Sequence, residues 1–364
     1  MIDRASVRRR RLRGCCLVPP YVLEHLAQHG DAAQRRRAIG TLAVDHSLRF
    51  GRAQFASLLA LRPAGAQDIL ATLAAGIPRR TIYDAHSGEN LGEATVVRTE
   101  GSSPVSDDAV NEAYDNLGST HAYYWQVHHR NSIDDRGLAL NAYVHFGRDY
   151  DNAMWDGQRM LFGDGDGVIL THLTRALEVV GHELAHGVTQ YTAALAYQEQ
   201  SGSLSESVSD VFGSLVKQFT LQQSVTEADW LIGADCLGPG VKGRALRSMA
   251  EPGAAYTDML GQKDPQPAHM HDYVSTTADN GGVHVNSGIP NHAFFLIATT
   301  LGGNAWEKAG RIWYETIRDP RLRPTIGFQT FAATTVRVAV HLYGPSSSEV
   351  SAVRDGWQQV GIQA

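Results

Sequence analysis

Cysteine is scarce in this chain. The three present among 364 residues, Cys15, Cys16 and Cys236, leave at least one unpaired, and neighbours in sequence rarely bridge each other, so a disulfide framework is excluded. Long apolar runs are also missing, and nothing approaches the roughly 18 residues that span a bilayer. Charge of one sign is in only slight excess: the net charge is −6, which argues against nucleic acid or an anionic membrane as partner of the body of the chain. A secretory signal is incomplete. The arginines at 8–11 supply a basic start, but Pro19 and Pro20 interrupt the apolar stretch that should follow, and Glu24 ends it. "LRGC" lacks the apolar run expected before a lipoprotein cleavage site. No internal repeat is seen.

What is present is the composition of a folded protein of two or three domains, with 43% hydrophobic residues. Residues 1–60 are rich in Arg, Ala and Leu, with helical spacing in "YVLEHLAQHG" and "FASLLALR". Residues 61–80 carry Gly, Pro and a basic pair and read as a connection. Short β-rich runs and turns then follow, interrupted by one predicted helix at "DDAVNEAYDNLGSTHAYYWQVH" capped by Asp107 or Ser106. "GDGDG" reads as turns rather than a calcium loop, because spaced acids are lacking. After Leu173 the apolar spacing becomes helical in five successive segments. The order predicts an α+β protein with two lobes.

"HELAH" puts His182 and His186 one turn apart on a helix face, where both imidazoles can share one zinc ion. Glu183 is turned away from the ion itself but placed to deprotonate a water beside it. The third ligand should be a carboxylate on a second helix, and "GSLSESVSDVF" offers Glu206. Asp210, one turn on, can accept the outer N–H of a ligand histidine. Three ligands leave one tetrahedral position open, as in a catalytic site. "DNGGVHVNSG" offers His284 as an oxyanion donor, with Asp279 to keep it protonated and a Gly-Gly turn through which backbone approaches a ligand.

These motifs, with "NAMWDG" and "LRSM", occur in the order seen in the thermolysin family of zinc neutral metalloproteases, which residues 80–362 resemble. The resemblance implies a β-rich N-terminal lobe (81–186), a helical C-terminal lobe (187–364) and a cleft floored by the HELAH helix. It implies Glu183 as base, His284 as oxyanion-stabilising donor oriented by Asp279, and Tyr197 as a second contact to the oxyanion. It implies that Asn152 and Ala153 hold extended substrate and that Arg247 binds a substrate carbonyl beyond the cut bond. Leu170, Leu173, Val179, Ile232 and Leu246 fall at positions lining the pocket after that bond, so cleavage is expected before a large apolar residue.

The sequence departs from the family at its calcium cluster. Glu178 and Asp229 are retained, whereas Lys217, Leu231 and Ala234 stand where acids are expected. The double-calcium site is therefore expected to be degraded, with Lys217 pairing with Glu178 or Asp229. Ser205 replaces an asparagine beside the third ligand. "CCLVPPYVL" resembles the Pro-Pro-Tyr segment of short protealysin-like propeptides, which makes residues 1–60 an inhibitory leader acting in cis. Its Cys15, Cys16, Pro19, Pro20 and Tyr21 are expected as an extended segment near the cleft, with a thiolate within reach of the zinc. The expected protein is a monomeric zymogen acting on proteins and peptides, secreted without a recognisable signal; a cytoplasmic location is the alternative. Competing readings are an aminopeptidase, which lacks an acidic anchor by motif, and a silent binding protein, against which the intact Glu183 and His284 argue.

Overall fold

The computed structural model describes residues 16–59, 76–258 and 261–364. Cys15 and most of the 61–80 connection lie outside them. Two helices come first, α1 (Pro20–His29) and α2 (Ala32–Leu59). Pro20 sits in the first turn of α1, where its missing N–H costs nothing. Among the described residues, the non-helical part of the leader before α1 is residues 16–19, and the helix takes in Pro20 and Tyr21, which were expected to be extended.

The first lobe is built on a five-stranded sheet. Its strands are β1 (Arg80–Asp84), β2 (Thr95–Thr99), β3 (Leu140–Val144), β4 (Ala153–Trp155) and β5 (Met160–Phe162), in the order β2-β1-β3-β5-β4. β1, β3 and β5 run parallel, and the two outer strands are antiparallel to their neighbours. β4 is thus an edge strand. Helix α3 (Asp108–His128) packs against this sheet. Asp107 caps it, its carboxylate accepting from the amides of Ala109 at 2.9 Å and Val110 at 3.4 Å.

The centre of the molecule is a pair of helices, α4 (Leu177–Gln190) and α5 (Glu199–Leu221), both buried along most of their length. Their approach depends on glycine. A methyl group at Gly213 would lie 2.3 Å from the Glu178 carbonyl oxygen, and one at Gly181 would lie 3.1 Å from the Gly213 Cα. The serines at 203, 205, 207 and 209 keep the rest of α5 narrow. Beyond them come α6 (Asp279–Asn286), α7 (Gly288–Leu301), α8 (Ala309–Ile317), α9 (Phe328–Tyr343) and α10 (Ser348–Gln359). Trp313 and Trp357 stack in the core of this helical lobe. The α+β, two-lobed architecture is as the sequence predicted. Among the described residues, no helix is long and apolar enough to cross a membrane.

Candidate active site

α4 turns His182 and His186 to the same side, their Nε2 atoms 3.0 Å apart. Glu206 approaches from α5, with Oε2 3.6 Å from the His182 nitrogen and Oε1 3.4 Å from the His186 nitrogen. Among the described residues these three alone form a cluster of metal-ligating groups, their ligand atoms all within 4.8 Å of one another. All three are buried. Glu206 Oε2 has no hydrogen-bond partner. An orphaned buried carboxylate oxygen facing two imidazole nitrogens is costly, and a cation at their centre removes the cost. The donor set of two nitrogens and one carboxylate fits zinc with an open position.

Supporting contacts fix these ligands. Asp210 accepts from His182 Nδ1 at 2.8 Å, which turns the Nε2 lone pair inward. The same carboxylate is gripped by Arg247 at 2.8 and 2.9 Å and by Asn291 at 2.9 Å. Burial pushes the Asp210 carboxyl up, but the Arg247 guanidinium and the His182 contact outweigh it and hold it well below the usual range. Asn291 has no motif around it; its only sequence signal is a polar residue within the apolar "IPNHAFFL". Ser205 Oγ is 3.5 Å from His186 Nδ1, a long contact.

Glu183 is buried, with Oε2 accepting from the Trp155 amide at 2.8 Å and Oε1 unpartnered. Burial raises its proton affinity well above that of an ordinary carboxylate. His284 lies between two sets of acceptors. Its Nδ1 donates to Asp279 at 2.8 Å, and its Nε2 donates to the Cys16 carbonyl at 3.0 Å. Burial opposes its protonation, but the Asp279 and Glu206 carboxylates outweigh burial and favour the charged ring. Tyr197 places its hydroxyl 3.2 Å from His284 Nε2 and donates to Glu206.

The segment 279–288 is not the open turn expected from its Gly-Gly pair. Asp279, Asn280, Gly281 and Gly282 are all left-handed, and they lead directly into the helical turns that carry His284. The close approach made at Gly281 is to Glu199 at the start of α5, where a methyl group would lie 2.9 Å from its Cγ, rather than to a ligand. Asp279 Oδ2 also accepts the His284 amide at 2.8 Å, so one carboxylate sets both the turn and the ring.

The leader fills the cleft. Leu17 N–H donates to the Ala153 carbonyl at 3.1 Å, Val18 N–H to Asn152 Oδ1 at 2.8 Å, and Arg247 donates to the Leu17 carbonyl at 3.0 Å. Leu17 is buried in the apolar cluster that also holds Leu170, Leu173, Val179, Ile232 and Leu246. Pro19 caps α1 beside these contacts, and the Tyr21 hydroxyl faces Tyr256. The Cys16 sulfur does not join the metal-ligating cluster. It accepts from Arg49 at 2.7 Å, and burial, opposed by Arg49, raises its thiol well above the usual range. The expectation of a Cys16 thiolate at the metal is thus replaced by a backbone carbonyl at His284.

α2 adds three residues to which no sequence motif pointed. Buried Asp45 accepts from Tyr150 at 2.6 Å and from Asn152 at 2.9 Å. Arg52 donates to the Trp155 carbonyl at 3.1 Å, on the edge strand, and Arg37 spans Asp149 and Asp151 at 2.7 and 2.6 Å.

Family comparisons agree with this geometry. The thermolysin metallopeptidase catalytic domain matches residues 77–190 and the thermolysin metallopeptidase alpha-helical domain matches residues 193–362. An extracellular metalloprotease of Pectobacterium carotovorum is 46% identical over 96% of both chains. The protease PrtS of Photorhabdus is 44% identical over 95% of this chain and 92% of its own. Among solved structures, the precursor of protealysin, a metalloproteinase from Serratia proteamaculans, superposes with a TM-score of 0.85 at 48% identity, covering 96% of this chain and 99% of its own. The chain belongs to the thermolysin metallopeptidase family, in its protealysin-like branch, and is a metalloendopeptidase.

Proposed function

We propose that the chain is a zinc-dependent endopeptidase, made as a zymogen, that hydrolyses peptide bonds on the N-terminal side of large apolar residues. The observation that carries this reading is the convergence of buried His182, His186 and Glu206 with one oxygen left unpartnered. Bound there, zinc would supply a Lewis acid that polarises a carbonyl and lowers the pKa of water.

The protein's own residues do the rest. Glu183 accepts the proton of the attacking water and returns it to the leaving amine. His284, held in orientation by Asp279, donates to the oxyanion, with the Tyr197 hydroxyl beside it. Asn152 and Ala153 pair with substrate in extended form along the edge strand. Arg247 is locked by Asp210 in position to hold a substrate carbonyl. Leu170, Leu173, Val179, Ile232 and Leu246 supply the apolar pocket that selects the residue after the cut. Residues 16–59 block these positions in cis, so activity requires release of the leader, in the 61–80 region. Secretion is supported by the names of the relatives called extracellular. The protein acts as a monomer on proteins and peptides.

An assay on casein and on a furylacryloyl peptide bearing Leu or Phe after the scissile bond tests the reading. Turnover should stop with a zinc chelator and return with zinc. Turnover insensitive to the chelator would refute it.

A further inference from the structure

We propose that the Cys16–Leu17 peptide bond is itself a substrate of this chain, cut in cis while the leader is docked. The inference rests on the zinc-endopeptidase reading and deepens it. The four contacts around Leu17 have the polarity of a substrate. The carbonyl before the bond faces His284 at 3.0 Å, the amide after it pairs with Ala153 at 3.1 Å, and the next carbonyl is held by Arg247 at 3.0 Å. The next amide, of Val18, donates to Asn152 at 2.8 Å. A segment lodged in reverse would place an amide, not a carbonyl, at His284.

The register selects one bond. Leu17 is fully buried in the same apolar core as the pocket residues, and it is a large apolar side chain of the kind the pocket should prefer. The following bond is not presented, because its carbonyl is committed to Arg247. Arg49 fixes the preceding residue by its sulfur at 2.7 Å. Arg37 and Arg52 clamp α2 to the first lobe through contacts outside the segment at 16–18, and Asp45 ties α2 to Asn152, which also holds Val18. The bond is therefore held near its attackers by a docked helix pair, which converts an encounter into an intramolecular step.

The reaction is a simple hydrolysis. Water adds to the Cys16 carbonyl carbon, and Glu183 takes its proton. The C–N bond breaks, and that proton passes to the nitrogen of Leu17. Cys16 becomes a C-terminal carboxylate and Leu17 a new N-terminus. Helices α1 and α2 stay docked, so this nick precedes and differs from release of the leader at 61–80.

The test uses the full chain. Zinc-loaded protein is incubated at several concentrations and its N-terminal fragments are read by mass spectrometry. A species beginning at Leu17, formed at a rate independent of protein concentration and absent from Glu183→Gln, supports the proposal. Leu17→Asp should abolish the cut at this bond, whereas Leu17→Phe should retain it. In the zinc-free chain, hydrogen exchange at the Leu17 and Val18 amides should be slowed by about tenfold or more relative to unstructured amides. Unprotected amides would overturn the register without any appeal to activity. A leader left intact, or cut at another bond, in a preparation that cleaves the furylacryloyl peptide once its leader is removed overturns the proposal and leaves the endopeptidase reading standing. No cleavage of either overturns both.

Discussion

The helix pair α4 and α5 borders two charge clusters, and they balance charge in different ways. At one, His182, His186 and Glu206 bring three metal-ligating groups together, with the His284 ring 3.5 Å from the Glu206 oxygen that has no hydrogen-bond partner. At the other, only a turn away, Lys217 puts its ammonium 3.5 Å from buried Glu178 and 2.8 Å from Asp229. Burial raises the Glu178 carboxyl and lowers Lys217, yet the attraction between them lifts the lysine above its usual range. The Gly233 amide donates to Glu178 Oε1 at 3.1 Å, and Oε2 faces the lysine without a hydrogen bond. The same scaffold thus leaves one site for an external ion and fills the other from its own sequence. What separates the two clusters is the donor set: three metal-ligating groups converge at the first, and an ammonium stands between two carboxylates at the second.

Five changes break, sharpen or bound this contrast, in falling order of effect. Glu206→Gln removes the charge that the metal neutralises. Zinc content should fall to a small fraction of one per chain and peptide turnover should drop by at least about 10³-fold, seen by metal analysis beside the furylacryloyl assay. Lys217→Met leaves buried Glu178 unpaired and should cost about 3 kcal/mol in a denaturant melt while zinc content stays whole. Lys217→Glu should make the melt respond to added calcium, whereas the wild type should not respond. A calcium-dependent wild-type melt would contradict the account of this cluster.

Gly213→Ala acts on both clusters through their shared helices. With a methyl placed 2.3 Å from the Glu178 carbonyl oxygen, the helices must part. A loss of about 2 kcal/mol in stability is expected, together with weaker zinc retention against a chelator. The smallest effect lies outside the pair. His145 is held between Asp164 and Asp107, each at 2.8 Å, and these contacts raise its pKa from 6.5 to about 9, chiefly through Asp164. The folded state binds this proton more tightly than the unfolded state does, so the contribution is complete below 6.5 and is lost as pH rises through 9. His145→Asn, which tolerates the left-handed backbone at φ 51, should lower stability by about 1 kcal/mol at pH 6, after allowance for solvent screening, and by nothing at pH 10.

Much of the metal centre was legible because helical period fixes it. His182 and His186 at i and i+4, and Glu206 and Asp210 at the same spacing, can be placed on faces without coordinates. The Lys217 pairing was legible as a charge standing where acids were expected. The leader's grip was not. Asp45, Arg49 and Arg52 sit on an Arg- and Ala-rich helix that offers no motif, and they meet Asn152, Cys16 and Trp155 only through docking across the chain. The left-handed run at 279–282 was hidden for another reason: two of its four residues are not glycine, and their conformation is set by Asp279 bonding forward to the His284 amide. The final helix carries an apolar stripe at Val350, Val353 and Trp357, masked by the polar residues between them.

The central claim is that His182, His186 and Glu206 hold the metal while Glu183 moves the proton. Zinc content and peptide turnover of Glu183→Gln, measured beside wild type after both leaders are removed by limited proteolysis within 61–80, test it most directly. The account predicts about one zinc per chain in both proteins and a fall in turnover of roughly 10²- to 10⁴-fold or more in the variant. A variant that keeps its zinc and turns over peptide at the wild-type rate would contradict it.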